Sequence, residues 1–244
     1  MLAHNKEKLI NYNIINKSML KYPISTLLYL AKLSIKDKIQ DILKLHNNID
    51  VKLTVTVKDK NGKIIKVHKQ RSHSFTANFL GAIGEYFYLA YNGSYVANYT
   101  MTNISNNTFY IENMLFANAG QGDSSYGIVV GTGTATPTPK DYALGSQISN
   151  GTGSGQLEYG SHTFIPTSGS VIISGNTAYF QIIRTFVNQS GASITVTETG
   201  IIVKVNSSSG TTQTSLIVHD LLSSPITIPN GSVLQITYTI SVTT

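Results

Sequence analysis

Val233-Leu234-Gln235-Ile236-Thr237-Tyr238-Thr239-Ile240-Ser241-Val242 alternates apolar and polar residues without a break. Successive side chains of a strand point to opposite faces. Leu234, Ile236, Tyr238, Ile240 and Val242 therefore share one face, and Gln235, Thr237, Thr239 and Ser241 the other, as in a half-buried strand. Upstream, residues 178–186 form a second apolar run, joined to 170–174 through Gly175-Asn176, a tight hairpin pair. Residues 194–205 form a third, in which Gly200 predicts a bulge or bend. Residues 215–219 form a short fourth. Strands at this spacing, separated by turn chemistry, predict an antiparallel β-sandwich of jelly-roll type. The alternation from 170 onward predicts its own core, so a fragment starting at residue 72 is expected to fold.

Towards the N-terminus the pattern changes twice. Residues 92–169 are rich in Asn, Gly, Ser, Thr and Tyr. They hold short strands at 108–116 and 127–130, a stiff extended loop at 131–139 and a flexible Gly-Thr-Gly-Ser-Gly loop at 151–155. Phe75, Phe79, Leu80, Ile83, Phe87 and Leu89 recur at helical spacing, with Tyr86, Tyr88 and Tyr91 as a second aromatic face, which predicts a buried helix near 76–91. Before it, Val51, Leu53, Val55 and Val57 alternate with Lys52, Thr54, Thr56 and Lys58. Asn61-Gly62 then turns the chain into a second strand over 64–73, where Ile65 and Val67 alternate with Lys66 and His68. Residues 49–244 are thus read as one β-sandwich module.

Residues 1–48 are read as a basic amphipathic helical arm, with breaks near Pro23 and Ser34. Leu27, Leu28, Leu30, Leu33, Ile35, Ile39, Ile42 and Leu45 lie on one stripe, and Lys32, Lys36, Asp37, Lys38, Asp41 and Lys44 fill the other face. The stripe needs a partner: its own sandwich, a groove on a neighbouring subunit, or an anionic layer. The most apolar part, 24–35, is broken by Lys32 and falls short of the roughly 20 residues of a membrane span. Residues 1–13 lack the apolar core of a signal peptide, so no classical export is predicted.

Charge divides the chain. Residues 1–75 carry 15 basic and 5 acidic side chains, net +10, whereas 76–244 carry 3 and 7, net −4. The attraction to nucleic acid or an anionic surface suggested by the overall balance therefore applies to the first third alone. Cysteine is absent, so neither disulfides nor thiolate metal sites hold the fold.

Chemistry-bearing patterns are sparse. The Gly-rich run 127–133 lacks the Gly-Lys-Ser/Thr ending and following helix of a phosphate cradle. His4, His46, His68, His73, His162 and His219 show no metal-ligand spacing; His219-Asp220, if on a strand, would point to opposite faces. Glu85, Glu112, Asp123, Asp141, Glu158, Glu198 and Asp220 would be the candidates for a glycosidase pair, but they are scattered. No nucleophile elbow is present. The reading is non-enzymatic, with no cofactor and no metal. Nine Asn-X-Ser/Thr triplets begin at Asn16, Asn92, Asn98, Asn103, Asn106, Asn150, Asn188, Asn206 and Asn230. Without an export signal they read as polar turns; as glycan acceptors, Asn92, Asn98, Asn103 and Asn106 would mark an outer loop.

The runs 184–201 (RTFVNQSGASITVTETGI), 127–133 with 137–142, and 216–225 with 231–242 resemble β-rich structural proteins of phages and archaeal viruses, which serve in tails, adaptors, nozzles or turrets. The resemblance covers residue 72 onward and rests on β-sandwich landmarks. It implies a virion protein, made in the host cytoplasm, that works as an oligomer with copies of itself and other virion proteins. Lipid or genome would be further partners through the basic N-terminal region. Two other classes stay open. A host-surface or carbohydrate-binding module would use the Tyr-rich 86–110 region. A nucleic-acid-binding protein would use residues 1–75.

Overall fold

The computed structural model describes residues 49–72, 75–92, 100–167 and 171–243. The predicted arm and Asn98 lie outside these residues, as do the side chains of 85–92 with the Tyr86, Tyr88 and Tyr91 face. Among the described residues, eleven strands and one helix follow in the order β1 (Ile49–Lys58), β2 (Ile64–Arg71), α1 (Ala77–Asn92), β3 (Thr100–Thr102), β4 (Thr108–Phe116), β5 (Gly127–Gly131), β6 (Glu158–Ile165), β7 (Ile172–Ser174), β8 (Thr177–Val187), β9 (Ile194–Ser207), β10 (Thr212–Ile228) and β11 (Val233–Thr243). The described fold is mainly β, and its named strand pairs are antiparallel.

One sheet has the order β2-β1-β11-β8-β6, with β7 also against β8. The other has the order β10-β9-β4-β3, with β5 also against β9. The predicted alternation of β11 is realised in its first half, where Leu234, Ile236 and Tyr238 are fully buried; towards its end Ile240 is half-buried and Val242 exposed, and the strand runs between β1 and β8. Val51, Leu53, Val55 and Val57 of β1 are also buried and join Leu234, Ile236 and Tyr238 in a hydrophobic cluster to which both sheets contribute. This corrects the expected fragment boundary. A chain starting at residue 72 would lack β1 and expose the buried flank of β11, so the module starts at Ile49.

Three further expectations change. In β2 the apolar side chains Ile65 and Val67 are exposed, while Lys66 and Gln70 reach the end of β10. Lys66 Nζ donates to Pro225 O (3.1 Å), Gln70 Nε2 donates to Leu221 O (3.0 Å), and Gln70 Oε1 accepts the Ser223 N–H (2.9 Å). On this end strand, polar side chains close the gap between the sheets, so the apolar phase faces outward. β10 is 17 residues long, far beyond the predicted 215–219. Pro225 cannot donate to a ladder, but β10 ends its sheet, and a register shift between Leu221 and Ile226 absorbs the proline. The bulge expected at Gly200 falls instead on the facing strand, between Leu216 and Val218. Finally, α1 buries Asn78 and Ala82, leaves Leu80 67% exposed and keeps Phe79 and Ile83 half-buried, so Leu80 of the predicted stripe faces outward. Asn78 lies inward because its amide donates to Thr102 O and Leu216 O and accepts the Thr102 N–H.

Candidate functional site

Two groups of buried charged residues, one around Arg184 and one around His219, each organise a long loop. The first centres on Arg184. On β8 the buried positions are Ile182, Arg184 and Phe186, so strand period two carries the guanidinium into the interior. All five of its N–H groups are taken by backbone carbonyls. Nε donates to Gly160 O (2.8 Å), Nη1 to Tyr126 O (3.1 Å) and Ile128 O (2.9 Å), and Nη2 to Gly120 O (3.1 Å) and Asp123 O. The cation lies 4.7 Å from the Tyr159 ring centroid, and that ring meets Phe186 edge-on. Burial draws the guanidinium pKa down to about 10, which still leaves it charged at neutral pH. The segment between β4 and β5 is thereby tied to β8.

His162 completes this knot. Its Nε2 accepts the Ile128 N–H (2.7 Å), and its Nδ1–H donates to Ala119 O (3.0 Å), so the ring is neutral. Burial first, with Arg184 adding to it, pulls its pKa down to about 4. Unfolded, the ring takes up a proton at its ordinary 6.5. Its contribution to stability is therefore complete above 6.5 and is lost as pH falls towards 4. The urea midpoint is expected to fall over that window, and His162→Gln is expected to flatten that part of the profile. Gly127 lies against the ring with φ +80°, and a Cβ there would overlap His162. Gly127→Ala is expected to destabilise by about 3 kcal/mol or more, through backbone strain and ring displacement. Thermal unfolding would show this as a fall in Tm.

The second organiser is a cluster that the scattered acids of the sequence did not reveal. His219 of β10 is 3% exposed and stands between two carboxylates: Nδ1 is 2.6 Å from Asp141 Oδ2, and Nε2 is 2.9 Å from Glu198 Oε2. Both nitrogens donate only in the imidazolium form. Burial opposes that charge, but the two carboxylates overcome it and raise the pKa above 6.5. Glu198, 1% exposed, also accepts N–H groups from Gly133 (2.8 Å), Gly145 (3.0 Å) and Ser146 (2.7 Å). Burial pushes its carboxyl up, but His219 and the three N–H groups bring it down to about 2. Asp141 accepts from the Thr138 N–H and hydroxyl. The Gly-rich run thus serves a protein carboxylate: a Cβ at Gly133 would overlap Glu198.

Asp220 turns to the opposite side of β10, as strand geometry requires, and accepts from Tyr238 Oη (3.0 Å). The structure brings Asp141 and Glu198 together on His219. Both carboxylates and both ring nitrogens are occupied in holding the chain. Among the described residues, no three His, Cys, Asp or Glu side chains are arranged to hold a metal ion, and no helix is long and apolar enough to cross a membrane.

Of the predicted glycan acceptors, Asn103 uses its side chain in the β3–β4 turn, where Oδ1 accepts the Ser105 and Asn107 N–H groups. Asn106 is exposed with φ +62°. Asn188 is fully buried and donates to Ala192 O and Ile228 O.

Apart from these knots, an apolar groove of about 540 Å³ opens between the two sheets and α1. Its walls include Phe79, Phe116, Phe164, Phe180, Ile217 and Ile240, and among the described residues no charged side chain lines it. Phe75 and Phe79 stack at 3.8 Å on the α1 side. Compared with known protein families, curated proteins and solved structures, the chain has no match.

Proposed function

We propose that this protein is a non-enzymatic structural component of a virus particle, working as an oligomer in a tail, adaptor, nozzle or turret. One contrast carries the reading. The clustered ionisable side chains Arg184, Glu198 and His219 are buried and bonded within the chain, whereas apolar surface is left open. That surface is the groove together with Ile64, Ile65, Val67 and Ile173, which are about half exposed or more. Open apolar surface of this kind suits contact with other proteins. The resemblance of 184–201 and its companion runs to virion proteins points the same way. The finer fold reading is a sandwich of jelly-roll type. It is supported by the shared core and by the pairing of β1 with β11, while the β9–β10 hairpin departs from fully nested winding. Residues 1–48 are the assembly arm.

Imaging of the purified full-length protein is expected to give a closed assembly of defined symmetry. Light scattering is expected to show a loss of mass when residues 1–48 are removed. Attachment through the basic charges would weaken with salt, whereas docking of the Leu27 to Leu45 stripe would resist it. Equal mass for both proteins at every salt concentration would remove the arm from the account.

A second reading is supported by one surface. Lys52, Lys58, Lys69 and Arg71 share the outward face of the β1–β2 hairpin, with Asp50 as the acid bonded to Arg71. Such a face suits sequence-independent binding of nucleic acid, with an affinity that falls steeply with salt. A gel shift that is insensitive to salt, or absent, would reject it.

A further inference from the structure

The imidazolium between Asp141 and Glu198 is the central point of the loop 132–147. One end of this loop is bonded to Glu198 through Gly133, and the other through Gly145 and Ser146. Its middle is attached differently. Asp141 anchors it to His219, and Pro139 O accepts the N–H of Ala77, the first residue of α1 (2.8 Å). On either side of Ala77, Phe75 and Phe79 form a wall of the apolar groove. A single proton on His219 is therefore connected, through Asp141 and Pro139, to the helix start that shapes the groove.

We propose that His219 is a proton-operated latch: protonated, it holds the middle of loop 132–147 against β10, and on losing its proton it releases that segment and loosens the Phe75–Phe79 wall. The chemistry is a matter of donors. A neutral imidazole has one N–H, so one of the two carboxylates must then face a nitrogen lone pair at hydrogen-bonding distance. Glu198 is enclosed and held by three N–H groups, whereas Asp141 is partly exposed and can turn to water. The Asp141 bond is the one that opens.

Among the described residues, no other charge faces the ring. From β9 it meets Glu198 and from the loop Asp141. Asp220 is directed to Tyr238 of β11, Lys140 is exposed, and the start of α1 (Phe75, Thr76, Ala77, Asn78) is uncharged. His219 holds its proton above the ordinary imidazole value, so the latch is closed below that raised pKa and opens as pH rises through it. The ends of the loop remain held, because Glu198 stays ionised and bonded throughout.

The latch is independent of the assembly reading, since it is read on the protein's own amides. Hydrogen exchange on the full-length chain, corrected for intrinsic rates, would be followed across the His219 titration, itself monitored by NMR of the ring. The expected result is a drop of about tenfold or more in protection of amides in 137–142 and at the start of α1. The β9–β10 ladder should stay constant. Asp141→Asn separates a latch from a merely weaker loop. An asparagine N–H can donate to the neutral Nδ1, so this variant is expected to keep the loop protected on both sides of the titration. Protection in the wild type that does not change across the titration would overturn the proposal. So would an Asp141→Asn protein that loses protection in parallel with the wild type.

Discussion

Replacing Arg184 by methionine is expected to abolish cooperative unfolding or soluble expression. The substitution keeps an unbranched side chain of similar length but removes five donors, leaving the carbonyls of Gly120, Asp123, Tyr126, Ile128 and Gly160 to find other partners. A buried acceptor left unpaired costs about 1–3 kcal/mol, and several together rival the ~5–15 kcal/mol that hold a typical domain. Arg184→Lys should recover only part of the loss. An ammonium has three donors and no planar fork, so it cannot reach carbonyls from three separate stretches of chain. Urea unfolding of the wild type and the two variants is the measurement. Near-equal midpoints for the wild type and Arg184→Met would mean that the β4–β5 segment is held by other contacts.

A carboxylate placed on the inner face of β11 is expected to be almost as damaging, and one placed on its outer face nearly silent. Leu234 is fully buried, beside Val57 of β1 and Phe186 of β8. Leu234→Asp loses about 1.5–3 kcal/mol of burial and adds the cost of an unpaired acid in an apolar site. The sum, about 4 kcal/mol or more, is enough to remove soluble protein at ordinary growth temperature. Gln235 points the other way, within 3.4 Å of Lys58 Nζ, and aspartate there keeps a cation nearby. Ile236 belongs to the same buried face but lies directly opposite Arg184, so an acid there would meet a guanidinium. Leu234 gives the cleaner comparison. Similar soluble yields for Leu234→Asp and Gln235→Asp would contradict the burial of this face.

Local pattern carried the β11 and β1 strands and the hairpin turns, because their periodicity and turn residues act within a few positions. The same rule, read strictly, exposes Arg184 as well. It is the one arginine after residue 75, and it falls in phase with Ile182 and Phe186, a position where strand alternation predicts burial. What alternation cannot supply is the identity of partners. Asp141 and Glu198 lie 78 and 21 residues from His219 along the chain, and nothing in their immediate neighbours announces the meeting. The outward phase of Ile65 and Val67 escaped for a related reason. It depends on β2 ending its sheet, with the turn of β10 beneath it. The full length of β10 is equally hidden, because Pro225 fits a strand only through an edge position and a register shift.

The pairing of β1 with β11 also has a mechanical meaning. Ile49 lies opposite Val242, so the strand at which the β module starts and the strand at which it finishes leave the same end of one antiparallel ladder. Tension applied between those two points would not load the ladder's hydrogen bonds together. It would open them in sequence, from Ile49↔Val242 towards Lys58↔Val233, as a zip opens. Pulled by its two ends, the module would yield at low force despite its large core. Held by its flanks, across the strands of either sheet, it would resist.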